Sequence, residues 1–129
     1  MTPTEAIGEL NGVLAHLWMI RTFLKHAEEI QDDAEMLEVP RTLYDSIRAV
    51  EPSFLSGDYA KYLRRLRGKL PKLRKVADYY SANYKNFSPH TNYEMAAQSL
   101  NASLKRLEDI FAQLKLETVN EVTVDTEDQ

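Results

Sequence analysis

Two oppositely charged residues fall where a long helix should be apolar. By the helical repeat, Arg21 and then Glu28 continue a leucine stripe, seven residues apart on one face. The apolar members of this stripe are Leu10, Leu14, Leu17 and Leu24. An unpaired buried charge is strongly destabilising, so both side chains need a partner. The spacing therefore predicts a polar network, or a small anion-binding site, inside an otherwise apolar helical protein.

An antiparallel arrangement of helices brings more polar side chains to the same end of the molecule. These are a histidine and four tyrosines: Tyr44, Tyr80, Tyr84, His90 and Tyr93. The pattern favours a filled internal network that fixes the helix register. The alternative hypothesis is a ligand-binding site, with Arg21 as the anion anchor and Glu28 as its counter-charge. In that site, His90 serves as a titrating hydrogen-bond partner, and the tyrosines form walls and donors.

Patterns that support catalysis or metal binding are missing from the sequence. There is no cysteine, no Glu-x-x-His pair of the kind found in di-iron bundles, and no G-x-S-x-G or glycine-rich phosphate loop. We therefore predict no catalytic residue, no metal and no cofactor. A metal-dependent or acid–base enzyme is the least supported alternative.

The chain carries its acidity at one end. Its net charge is −4, but the last basic residue is Lys115, and five of the 20 acidic residues follow it. Residues 1–116 therefore have a net charge of +1, and we predict that 117–129 form an acidic, disordered tail. The absence of cysteine, of a signal-peptide pattern and of a membrane-spanning run leads us to expect a cytoplasmic protein.

A basic run in the third helical segment suggests a different function. The exposed candidates for binding a polyanion or an acidic partner are Lys61, Arg64, Arg65, Lys72, Arg74 and Lys75. Polyphosphate and nucleic acid both belong to this alternative, as does docking of the acidic tail. The near-neutral body and the lack of an exposed aromatic stripe argue against a dedicated nucleic-acid binder.

Four segments have the period of an amphipathic helix, and together they must position these residues. We predict a break or kink at Pro40 in the second segment, and one continuous helix bent near Pro71 in the third. Capping boxes are predicted at Thr2–Glu5 and, unless Ser88–Pro89 opens the fourth helix, at Thr91–Glu94. The predicted helices span about 3–30, 34–51, 58–86 and 91–116.

The third and fourth segments carry apolar residues that alternate four and three positions apart, which is typical of a bundle seam. Short connections make successive helices antiparallel neighbours. We therefore predict an all-α protein, an up-down-up-down antiparallel four-helix bundle formed by residues 1–116.

The segments HLWMIRTFLKHAEE, RTLYD and SPHTNYEMAAQSL resemble a set of small bacterial, planctomycete-type helical-bundle proteins of unknown function. This likeness covers most of the chain and implies a compact bundle without a defined activity. Histidine phosphotransfer domains do not fit, because no histidine stands in a His-x-x-Lys-Gly context. The LRRLR segment resembles helices of polyphosphate-binding CHAD domains, but no histidine lies beside it.

The sequence as a whole favours a non-catalytic interaction or small binding module. Its partner is expected to be another protein, a second copy of the chain, or a small anionic ligand, and not a membrane. Loss of binding in an Arg21→Met variant would indicate the polar end, whereas loss on charge reversal of Arg64, Arg65 and Lys72 would indicate the basic helix.

Overall fold

In the computed structural model, which describes the backbone of residues 1–125 and the side chains of residues 1–114, four long helices form an antiparallel bundle. Each helix packs against its neighbours in the chain, and α1 also packs against α4. The predicted all-α four-helix fold is confirmed. The helices are α1 Pro3–His26, α2 Ala34–Ser56, α3 Tyr59–Asn83 and α4 Thr91–Asp125.

The first helix starts at the predicted cap. The Thr2 hydroxyl accepts from the backbone N–H of Glu5 and donates to its carboxylate, and Pro3 occupies the first helical position. The helix ends at His26, and a single 3₁₀ turn, Glu28–Ile30, leads into α2. Because this turn breaks the α-helical phase, Glu28 does not continue the stripe of α1.

The second helix is longer than predicted. It begins where the Asp33 carboxylate caps the N–H of Met36, passes through Pro40 and Pro52, and reaches Ser56. Pro52 is exposed, so the carbonyl that loses its N–H partner remains within reach of water. The true end is Gly57, whose positive φ of 75° closes the helix with bonds back to the last turn. The predicted end at residue 51, just before Pro52, is therefore wrong, because Gly57 ends the helix.

The third helix is continuous through Gly68 and Pro71, as predicted, and a 3₁₀ turn at Tyr84–Asn86 follows it. The fourth helix continues to Asp125, well past the predicted end at 116, because no proline or glycine interrupts it. The expected disordered tail is therefore helical up to that residue. The side chains of 115–125 and residues 126–129 lie outside what the structure describes.

The bundle core follows the predicted seam on α4 completely and the seam on α1 only in part. All seven α4 seam residues are buried: Tyr93, Ala97, Leu100, Leu104, Leu107, Phe111 and Leu114. On α1 the buried side chain between Leu17 and Leu24 is Ile20, and Arg21 is only half-buried. The buried face of α1 therefore takes Ile20, and Arg21 lies at its edge, next to Tyr44 of α2.

Candidate functional site

Arg21 lies at the edge of the bundle, between α1 and α2. Its guanidinium carbon is 4.6 Å from the ring centroid of Trp18 and 4.8 Å from that of Tyr44. Among the described side chains no carboxylate forms an ion pair with it. Glu28 is exposed in the 3₁₀ turn and makes no side-chain bond to Arg21. The predicted pairing of Arg21 with Glu28 and His90 is therefore not formed.

A second arginine completes the surroundings of this aromatic pair. The rings of Trp18 and Tyr44 have centroids 5.8 Å apart. The guanidinium carbon of Arg48 lies 5.2 Å from the first ring and 5.4 Å from the second. Arg48 also donates to both carboxylate oxygens of Glu51, at 2.9 and 3.0 Å. The hydrogen bond with Tyr44, and then the negative charge of Glu51, raise the pKa of Arg48. Its guanidinium therefore stays protonated. We call Trp18, Arg21, Tyr44 and Arg48 the arginine–aromatic cluster.

The cluster follows from helical spacing on two neighbouring helices. Trp18 and Arg21 are three residues apart on α1, and Tyr44 and Arg48 are four apart on α2, so each pair shares one face. The packing of α1 against α2 brings the two faces together. Sequence analysis identified Arg21 and Tyr44 but missed Trp18 and Arg48. Their i,i+3 and i,i+4 spacing was the signal that could have found them.

A shallow depression of about 220 Å³ adjoins the cluster. Its lining residues are Asn11, Leu14, Ala15, Trp18, Ile47, Arg48 and Glu51. Aliphatic side chains therefore supply its floor, and a charged pair supplies one edge. Such a depression can accept an apolar side chain next to a group that bonds to arginine.

The remaining predicted tyrosines, Tyr80, Tyr84 and Tyr93, contact one another and neighbouring groups at the end of the bundle. The Tyr80 hydroxyl donates to the carbonyl of Tyr93 at 2.9 Å, and the rings of Tyr80 and Tyr84 stack with centroids 5.6 Å apart. The Tyr93 hydroxyl donates to the carboxylate of Glu29, which the sequence analysis missed. Phe23 packs edge-on against the Tyr93 ring. These contacts form a filled network, and they are separate from the arginine–aromatic cluster.

The electrostatics of this network support a structural role. The hydrogen bond from Tyr93 is the main reason that the pKa of Glu29 lies below its ordinary value. Burial, and then Glu29, raises the pKa of Tyr93 to about 12. The two groups therefore keep the charged acceptor and neutral donor that their bond requires at neutral pH.

His90 caps the start of α4, a role that the sequence analysis did not predict. It is exposed just before α4, and its Nδ1 accepts from the backbone N–H of Asn92 at 3.0 Å. The backbone N–H of His90 donates to the hydroxyl of Ser88. The imidazole thus caps α4 in place of the predicted Thr91–Glu94 capping box, because its acceptor nitrogen reaches a free N–H of the first turn.

The basic residues of α3 separate onto two sides of the helix. Arg74 bonds to Glu108 and Asp78, and the guanidinium of Arg67 lies over the ring of Phe111, on the α4 side. Arg65 reaches the carbonyl of Ala49 on α2. Lys72 and Lys75 face the groove between α2 and α3, whereas Lys61 and Arg64 make no ion pair with a described residue. Of the predicted polyanion-binding residues, Arg64, Arg65, Lys72 and Lys75 therefore lie on the α2 side of α3, and Arg74 lies on the α4 side.

Comparisons with known proteins find no match among family models, curated proteins or solved structures. Within the described part of the chain, no three His, Asp or Glu side chains are grouped so that they could hold a metal ion. No helix in that part has both the length and the apolar content needed to cross a membrane. The geometry of the side chains must therefore carry any functional argument.

Proposed function

We propose that this protein is a non-catalytic binding module and that its arginine–aromatic cluster receives an acidic segment of a partner protein. The observation that carries this proposal is the state of Arg21. Its guanidinium lies over two aromatic rings, and no described carboxylate pairs with it.

Contact with the ring faces orients the guanidinium without using its N–H donors. The donors lie in the plane of the group, and they remain free to bond to a carboxylate in a bidentate manner. The cation–π contacts with Trp18 and Tyr44 contribute about 0.5–1 kcal/mol each at an exposed site, which reduces the mobility of Arg21 before a partner arrives. A preorganised donor loses less conformational entropy on binding.

The composition of the cluster is that of an energetically important interface patch. Tryptophan, tyrosine and arginine are the residues most enriched at binding hot spots. Arg48 adds a second cation, which is already bonded to the carboxylate of Glu51. The adjoining depression has Leu14 and Ile47 in its lining. The best-matched partner is therefore an apolar side chain flanked by carboxylates.

Trp18 provides a direct test because it is the only tryptophan in the chain. We expect its fluorescence to change saturably when a blocked peptide of sequence Glu-Glu-Leu-Glu-Glu is titrated at low ionic strength. A peptide with glutamine in place of glutamate, and one with alanine in place of leucine, should each bind more weakly. Arg21→Met should reduce affinity at least tenfold, since a charge-assisted bond contributes about 1.5–3 kcal/mol and about 1.4 kcal/mol is tenfold.

The matched control is Arg64→Met, which makes the same change at an exposed arginine of α3. It should leave peptide affinity unchanged. Equal affinity of the wild type and Arg21→Met would overturn the proposal. Tighter binding of inorganic polyphosphate that is lost on reversal of Arg64, Arg65 and Lys72 to glutamate, but kept in Arg21→Met, would assign the function to the basic helix.

A further inference from the structure

A second concave surface lies on the opposite side of α2 and has a different chemistry. This groove between α2 and α3 has a volume of about 470 Å³. The residues that line it are Glu35, Glu38, Thr42, Asp45, Ser46, Lys69, Lys72, Lys75, Val76 and Tyr79. It shares no lining residue with the arginine–aromatic cluster, so it is an independent candidate. We call it the α2–α3 groove.

The two walls of the α2–α3 groove carry opposite charges. Glu35, Glu38 and Asp45 come from α2, and Lys69, Lys72 and Lys75 come from α3. Among the described side chains no ion pair joins one wall to the other. Glu38 instead bonds to Arg41 on its own helix, at 2.6 Å. The carboxylates and ammonium groups are thus held apart across an open space.

The floor of the groove contains a hydroxyl without a protein partner. Ser46 is only 2% exposed, yet it lines the groove, and its Oγ makes no hydrogen bond to any described residue. Among the described residues, the fully enclosed hydroxyls without a partner are those of Ser53 and Tyr62, so the Ser46 oxygen is accessible from the groove and can bond to a molecule there. Val76 and Tyr79 add partly apolar surface beside it. A mixed floor of this kind fixes the orientation of a small polar molecule.

We propose that the α2–α3 groove binds a small zwitterion, an amino acid or a short peptide with free termini. The ammonium group of such a ligand faces Glu35, Glu38 and Asp45, and its carboxylate faces Lys69, Lys72 and Lys75. Between them, a polar group of the ligand bonds to the hydroxyl of Ser46. A zwitterion satisfies both walls at once, whereas a simple anion or cation meets one attractive and one repulsive wall. The ligand takes the place of direct ion pairs between the two walls, which are absent among the described side chains.

The test uses free alanyl-alanine as the probe, followed by chemical shifts of the backbone amides at low ionic strength. We expect saturable shifts at Ser46 and Val76. N-acetylated and C-amidated forms, which each lack one charge, should bind at least tenfold more weakly. Lys72→Gln and Asp45→Asn should each weaken the free dipeptide to a similar extent, and Ser46→Ala should weaken it less. Lys105→Gln, an exposed lysine of α4, should leave the affinity unchanged.

Three outcomes would overturn this inference. The first is the absence of shifts at the groove, and the second is equal binding of the free and blocked peptides. The third is a concentration-dependent dimer in sedimentation that Lys72→Gln abolishes. In that case the groove is occupied by a second copy of the protein. A twofold axis parallel to the helices would place the acidic wall of one copy against the basic wall of the other. The Trp18 titration is unaffected by any of these results.

Discussion

Tyr62 and Tyr80 are both fully buried on α3, but their hydroxyls have different environments. The Tyr80 hydroxyl donates to the carbonyl of Tyr93, whereas the Tyr62 hydroxyl has no acceptor among the described residues. An unpartnered buried hydroxyl is destabilising by about 1–3 kcal/mol. The Tyr62 ring itself packs well, with the ring of Phe54 5.9 Å away. Its place in the core therefore depends on the ring and not on the oxygen.

Replacing Tyr62 by phenylalanine should raise the free energy of unfolding by about 1 kcal/mol, because it removes the unpartnered hydroxyl and keeps the ring. The matched change Tyr80→Phe should lower it by about 1 kcal/mol, because a satisfied hydrogen bond is lost. Urea denaturation of both variants measures the difference. A Tyr62→Phe protein less stable than the wild type would contradict the assignment of an unpartnered hydroxyl.

Residue by residue, the core of the bundle was more predictable than the candidate site. The α4 seam was predicted in full because burial follows directly from helical spacing. Arg21 was predicted on the buried stripe of α1 from its spacing to the leucines, but the folded helix buries Ile20 and leaves Arg21 at the edge of the bundle. Its aromatic contacts depend on the rotation of α1 against α2, which a pattern within one helix does not specify.

At the level of helices, local capping chemistry decides where each element begins and ends. Gly57 ends α2 by adopting a left-handed conformation, and His90 opens α4 through its ring nitrogen. Histidine is not among the strongly preferred capping residues. Its use here is therefore visible in the geometry at the start of α4, where the sequence pattern left Ser88–Pro89 and a Thr91–Glu94 capping box as alternatives.

Changing His90 to aspartate should stabilise the protein by about 0.5–1 kcal/mol. A carboxylate is a preferred cap, and it also interacts favourably with the partial positive charge at the start of α4. His90→Ala should destabilise by about 1 kcal/mol, because the N–H of Asn92 loses its acceptor. Thermal unfolding at neutral pH compares the two variants. An alanine variant as stable as the wild type would show that the ring does not cap the helix.

For the molecule as a whole, three buried tyrosines link stability to alkaline pH. Burial raises the pKa of Tyr62 and Tyr93 from 10.0 to about 12, and it raises the pKa of Tyr80 as well. A pKa that is higher in the folded than in the unfolded state contributes stability that is complete below pH 10. The contribution is then lost as pH rises through the folded value.

The free energy of unfolding should therefore fall between pH 10 and pH 12, by about 1.4 kcal/mol per pH unit for each fully protected tyrosine. Tyr62→Phe should make this decrease shallower, because one of the three groups no longer titrates. Denaturation curves recorded at several alkaline pH values measure the slope. A slope identical in both proteins would mean that Tyr62 has the same pKa in the folded and unfolded states.

The most direct test of the binding proposal follows the side-chain N–H resonances of the cluster by NMR. On addition of the Glu-Glu-Leu-Glu-Glu peptide, we predict shifts of the Trp18 indole N–H and of the Arg21 and Arg48 Nε–H groups. Arg74, which is already paired with Glu108, is the internal reference and should remain still. Shifts confined to α3 resonances, with Trp18 and Arg21 unmoved at saturating peptide, would contradict the account.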